Sequence, residues 1–329
     1  MIDTAPAGAA VRCWNDAGFY RPLPVQHWTF AAVCLPLPAA CLYRGPMSLV
    51  LGDIVIRSVS GGSLKLDGGC MFGVVPKALW ERSTRPDELN RIPLATNCLL
   101  VEADGRRILI DTGYGPHLTD RQREQCDAEQ GHPLLRNLAS CGVGPDDIDT
   151  VIHTHLHFDH VGGSTQRGGG GQLRPSFPRA RYVVQRVEWE DAVADLPELT
   201  GAYAREQLQA LADADQLDLI DGDTTLHGRI RCRLTGGHTR GHQTLELGTA
   251  EHRAVYAGDL CPTSAHLRTA WTMAYDQFPL DVRRGKAQLL RRVVEENSLL
   301  LFDHDPVMTA ARLRHDDRGQ VVVSEQVAI

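Results

Sequence analysis

The sequence predicts an α/β fold of the α+β kind: two mixed β-sheets packed together, with helices outside. Three observations carry this. From Met47 onward, short apolar runs of period two alternate with runs of helical period. The early strands follow one another as hairpins, whereas later ones are separated by helices, an order that suits two packed mixed sheets. Histidines and aspartates come directly after several strand-like runs, where loops at one sheet edge can converge. At 329 residues, 43% hydrophobic and 23% charged, the chain has the material for a substantial core.

Residues 1–46 stand apart. They mix Pro, Ala and Cys, and their one apolar run, 28–42, is broken by Pro36 and Pro38 and is too short to cross a membrane. The run has the apolar middle and small-residue end of a signal peptide but starts late, behind Asp3 and Asp16. The expectation is an N-terminal extension, poorly ordered or an over-called start, followed by the functional domain at 47–329. Within that domain the alternation of aliphatic and β-branched residues predicts strands at 54–59, 97–102, 107–111, 150–154, 181–185, 217–220, 230–234, 244–247, 254–257, 299–302 and 320–324. Helical spacing predicts helices at 134–140, 187–194, 202–214 and 282–297. In the last of these, Arg283, Arg284, Lys286, Arg291 and Arg292 read as the wet face. Four consecutive glycines at 168–171 read as a flexible loop.

Composition narrows the function classes. The balance of 34 basic and 41 acidic residues gives a net charge of −7 without a long basic run, which argues against nucleic acid as the ligand. Nine cysteines, an odd count without C-x-x-C spacing, argue against a disulfide framework and for a reducing, cytoplasmic setting.

The densest chemical signal is His155, His157, Asp159 and His160. Imidazole and carboxylate suit divalent metals of the zinc type. The first three alternate and would point one way from an extended segment, with His160 on a following turn. Gly162 and Gly163 would let the backbone bend tightly beneath a metal. Asp111, His238, Asp259 and His304 each follow a strand-like run and can join the same site. Three imidazoles around one ion leave a position open for water, and a carboxylate such as Asp259 can bridge two ions. His153 reads as a core or surface histidine, and His242 as a hydrogen-bonding support for the His238 loop.

Together, Asp111, the H-x-H-x-D-H run at 155–160, His238, Asp259 and His304 resemble the motif series of the metallo-β-lactamase superfamily, across residues 50–325. The resemblance implies an αββα sandwich with a dinuclear metal site. His155, His157 and His238 would hold one ion, Asp159, His160 and His304 the other, with Asp259 bridging and Asp111 orienting a ligand from behind. Zinc is the default metal, and iron, cobalt or manganese also suit such donors.

The segments 67–80, 258–266 and 271–280 resemble those of the quorum-quenching lactonase branch and of methyl parathion hydrolase-like members. The implied function is opening of lactone rings, N-acyl-homoserine lactones foremost, by attack of a metal-bridging hydroxide, with Asp159 protonating the leaving alkoxide. Met71, Phe72 and Trp80 would form one wall of an acyl pocket, and Trp271, Met273 and Phe278 the other. Tyr275 or His266 would donate a hydrogen bond to the carbonyl. Pro262 departs from the pattern of acyl-homoserine lactone lactonases, which place a tyrosine there. Phosphotriesterase or arylesterase activity on the same site is the alternative, and a non-catalytic metal-binding protein a distant one. The apolar segment around Phe72 and Trp80 also suggests a homodimer.

Overall fold

The computed structural model describes residues 47–329 other than Asp195, Thr200, Ala202 and Ala250, so the expectation for 1–46 lies outside the described residues. The strands of the first half are β1 (Leu49–Leu51), β2 (Ile54–Asp67), β3 (Arg91–Ala103), β4 (Arg106–Ile110), β5 (Thr150–Ile152), β6 (Thr165–Arg167), β7 (Leu173–Pro175), β8 (Arg181–Gln185) and β9 (Leu217–Ile220). Those of the second half are β10 (Thr224–Leu226), β11 (Ile230–Leu234), β12 (Gln243–Gly248), β13 (Arg253–Tyr256), β14 (Leu299–Leu301), β15 (Ala310–His315) and β16 (Val321–Val327). The α-helices are α1 (Gly68–Phe72), α2 (Lys77–Trp80), α3 (Asp120–Cys126), α4 (Pro133–Ser140), α5 (Phe158–Val161), α6 (Arg186–Val193), α7 (Arg205–Asp213) and α8 (Pro279–Glu295).

Two seven-stranded sheets result, ordered β1-β2-β3-β4-β5-β8-β9 and β10 to β16 in sequence, beside a small β6–β7 hairpin that contains the four glycines in its turn. Both are mixed. The first is parallel from β4 to β9, and the second has one parallel pair, β13 with β14. Period-two alternation sorts the side chains between layers. In β4, Ile108 and Ile110 face the other sheet, meeting Leu245, Tyr256, Leu299 and Leu301, while Leu109 faces the helices. Leu134 and Leu138 of α4 and Leu208 and Leu211 of α7 cover that outer face. Val282, Leu289, Leu290 and Val293 of α8 cover the second sheet over Val255, Leu300 and Phe302. The layering is helix, sheet, sheet, helix, and each fully buried aliphatic side chain contributes about 1.5–3 kcal/mol.

Several expectations shift. β2 and β3 run to 14 and 13 residues, well past 54–59 and 97–102. The Ser-Gly-Gly-Ser stretch 60–63 lies at a register shift within the β2–β3 ladder. A Cβ on Gly61 would lie 2.8 Å from the Gly113 Cα, so that approach requires glycine. Residues 67–80, for which no helix was expected, contain α1 and α2, with the Asp67 carboxylate accepting the Cys70 amide at 2.8 Å as N-cap. Lys286 is not on the wet face of α8. It is buried and its ammonium donates to the Trp271 carbonyl. No helix of the described residues is long and apolar enough to cross a membrane.

Candidate metal centre

β4 and β5 run parallel, as do β13 and β14, so the loops after each pair emerge on the same side as their neighbour. Asp111 follows β4, His155 and His157 follow β5, Asp259 follows β13, and His304 follows β14. His238 comes from the β11–β12 loop. The chain turns helical at Phe158, so Asp159 and His160 come from α5 and not, as alternation suggests for Asp159, from the extended run. Gly162 has φ near −58°, an ordinary helical value. Gly162 and Gly163 are needed for close approach: a Cβ there would sit 2.2 Å from the Tyr114 carbonyl oxygen or 2.1 Å from that of Thr112.

The donor atoms form two groups. In the first, His157 Nδ1 lies 3.1 Å from His155 Nε2 and 2.9 Å from His238 Nε2. Asp259 Oδ2 completes it, 2.9 Å from His238 Nε2 and 3.7 Å from His155 Nε2. In the second, His160 and His304 present their Nε2 atoms 3.1 Å apart. Asp259 Oδ1 lies 3.8 Å from the first and 3.2 Å from the second. Asp159 adds Oδ1 at 3.9 Å from His160 and Oδ2 at 3.6 Å from His304. A tetrahedron of donors about 2.0–2.1 Å from a zinc ion has edges of roughly 3.3 Å, so these spacings fit ion-sized cages. Asp259 gives one oxygen to each group. The donors suit a divalent metal centre.

A shell behind the cage fixes each ring. His160 Nδ1 pairs with Asp111 Oδ2 at 2.9 Å, His238 Nδ1 with Asp276 Oδ1 at 2.8 Å, and His304 Nδ1 with the Ala95 carbonyl at 2.8 Å. Each pairing leaves Nε2 free to face an ion. Asp111, in a left-handed backbone conformation, also accepts the Thr154 amide and hydroxyl, both at 2.8 Å. His153 is buried, with Nε2 on the Ser164 hydroxyl. His242 supports its loop through Nδ1 on the Thr235 hydroxyl at 2.7 Å. Two residues that sequence reasoning passed over complete the shell. Asp276 is one; its signal was an acid between Tyr275 and Gln277 in a segment otherwise read as pocket wall. Glu188 is the other: buried on α6, it accepts the Leu156 amide from the His155 loop and the Thr239 hydroxyl and Gly241 amide from the His238 loop.

Electrostatics follow from this packing. Burial, then the neighbouring imidazoles, holds His155 and His157 well below the usual histidine range, as neutral ligands require. Burial also opposes charge on His160 and His238, yet Asp111 lifts the first to about 9, and Asp259 with Asp276 lifts the second to about 10. Burial works against Asp259 as well, but His238 and His304 hold it well below the carboxylate range. The cage therefore calls for positive charge, which protons supply when no ion does.

A cavity of about 290 Å³ opens onto the cage, touching His157, Asp159, His238, Asp259 and His304. Met71, Met273 and Tyr275 line it, as the sequence suggests. The other expected wall residues do not. Phe72 stacks on Trp80 at 5.2 Å and on His266 at 4.8 Å and meets Trp271 edge-on at 5.4 Å, because α1 and α2 turn Phe72 and Trp80 into the core cluster that holds Trp271. Phe278 is exposed ahead of α8 and does not line the cavity. His266 is unsuited to catalysis: it is fully buried, with Nδ1 on the Thr263 hydroxyl and Nε2 on the Met71 carbonyl. Phe72 and Trp80 are packed inside, whereas Val74 and Leu79 of the same segment are exposed. Leu66, Phe158, Leu199, Glu198 and Gln277, which sequence reasoning missed, line the cavity instead.

Residues 91–304 match the family described as the Metallo-beta-lactamase superfamily. The N-acyl homoserine lactonase AiiA of Bacillus thuringiensis subsp. kurstaki is 25% identical over 244 residues, covering 67% of this chain and 84% of its own. A probable metal-dependent hydrolase from Staphylococcus aureus matches with a TM-score of 0.77 at 31% identity, over 85% of this chain and 100% of the other. AidC, a dizinc quorum-quenching lactonase solved with a product, shares the fold at a TM-score of 0.70 and 18% identity, over 87% and 98%.

Proposed function

We propose that this chain, which belongs to the metallo-beta-lactamase superfamily and is one of its hydrolases, opens lactone rings, those of N-acyl-homoserine lactones above all. The observation that carries the reading is the cavity. Its walls of Leu66, Met71, Phe158, Leu199 and Met273 suit an acyl chain, and its floor is the cage itself. Similarity to the curated lactonases favours a lactone over the phosphotriester or aryl ester that the same cage could serve.

His155, His157, His238 and Asp259 would hold one ion, and His160, His304, Asp159 and Asp259 the second, with zinc the metal we propose from the histidine-rich donor set. Such ions, when bound, polarise a carbonyl and lower the pKa of water towards about 7. The chain's own residues do the rest. Asp111, Asp276 and the Ala95 carbonyl hold the imidazoles in the tautomer that faces the ions. The apolar walls exclude bulk water and seat the acyl chain. Tyr275 lines the cavity, and its phenol, protonated at neutral pH, would donate to the substrate carbonyl in place of the tyrosine that Pro262 replaces. Asp159, on the cavity side, would take the proton released by the attacking water and hand it to the leaving alkoxide.

The test is kcat/KM on a long-chain acyl homoserine lactone, an aryl ester and an organophosphate. The lactone is expected to lead by at least about tenfold (roughly 1.4 kcal/mol in transition-state binding). His155→Ala and Asp259→Ala should abolish hydrolysis and lower metal content. An organophosphate that leads the panel overturns the lactonase reading.

A further inference from the structure

We propose that Asp303 is an additional donor to the second ion, giving that half of the cage three carboxylates and two imidazoles. The inference rests on the two-ion reading of the cage and is independent of the lactone. Asp303 and Asp305 flank His304 and differ sharply. Asp305 is fully engaged: its carboxylate accepts the Ser264 amide and hydroxyl and the Val307 and Met308 amides. Asp303 is 1% exposed, and neither carboxylate oxygen has a hydrogen-bond donor among the described residues. A bare buried carboxylate is costly, so such a group marks a place where charge arrives from elsewhere.

Its surroundings say which charge. A carboxylate oxygen of Asp303 lies within 4.8 Å of the donor atoms of His160, Asp259 and His304, and Oδ2 is 3.7 Å from His304 Nε2. Two carboxylates, Asp259 and Asp303, thus face one space with two ring nitrogens aimed into it. Asp159 reaches the same ring nitrogens and lines the cavity, which Asp303 does not. Asp303 therefore approaches from the sheet side, at the end of β14, and leaves the cavity side to Asp159. Three carboxylates make the second position more anionic and harder than the first, which has three imidazoles and one carboxylate.

The competing role for Asp303 is a neutral acid donating a hydrogen bond to Asp259. Asp303→Asn separates the two, because an amide can still donate but brings no charge. Titrate metal-free wild type, Asp303→Asn and Asp303→Ser with zinc and with manganese, following heat and bound metal per chain, with thermal melts to show that each variant is folded. The expected result is a second-ion dissociation constant at least tenfold weaker in both variants, a larger loss for manganese than for zinc, and first-ion affinity within twofold of wild type. An Asp303→Asn protein that binds its second ion within twofold of wild type overturns the assignment and leaves the two-ion cage standing. A wild-type chain that takes up no ion removes the cage as well.

Discussion

A histidine in this protein takes its role from what its two ring nitrogens already touch. His160, His238 and His304 each commit Nδ1 to a buried acceptor and leave Nε2 aimed at the cage. His266 has both nitrogens committed, to a hydroxyl and a carbonyl, and is closed to chemistry. Asp276→Asn should weaken metal binding by about 10–100-fold, the usual consequence of losing an acceptor behind a metal-bound imidazole, as read by metal titration. His266→Gln should leave turnover per bound ion within about threefold while costing roughly 1–3 kcal/mol at pH 7. Burial holds His266 down to about 3, below its unfolded value. The unfolded chain therefore takes up the proton first, and this histidine's contribution to stability is present above about pH 6.5 and lost as pH falls towards 3. Urea unfolding at pH 7 and pH 5 should show a smaller acid loss in the variant than in wild type; equal losses would contradict it. The ligands were legible because four of them crowd into one motif. Asp276 was not, since it sits 38 residues from the ring it orients.

Between elements, one buried side chain ties two loops of the cage together. Glu188 of α6 ties the loop after β5 to the loop between β11 and β12, and so joins His155 to His238 across the two sheets. Burial raises its pKa against the donors that stabilise its charge. In Glu188→Gln, one amide group would have to stand in for an acceptor of three hydrogen bonds. A loss of about 1–3 kcal/mol in urea unfolding is expected, with weaker retention of the first ion. An unchanged unfolding midpoint would show that the loops are held some other way. Element type was largely legible from periodicity, but the ends of elements were not. The glycines at 61 and 62 lie at a register shift inside the β2–β3 ladder, and those at 68 and 69 open α1. Glycine marks close approach in these places, and only the partner strand or ring shows which kind.

Across the whole molecule, the site exists because both sheets end their parallel pairs in ligand-bearing loops. Asp111, His155, His157 and His160 come from the first sheet, and His238, Asp259 and His304 from the second. That convergence was legible from ligands placed after strand-like runs. The substrate walls were not, because whether Phe72, Trp80 or Phe158 faces the cavity depends on how short helices turn, which no period in the sequence records. If two ions in this cage drive hydrolysis, stripping the metal, returning zinc stepwise and measuring ions bound per chain beside the rate of N-acyl-homoserine lactone opening will show it. No turnover is expected in the stripped protein, and full turnover only as the second ion fills. A full rate without bound metal, or a maximum reached at one ion per chain, would contradict it.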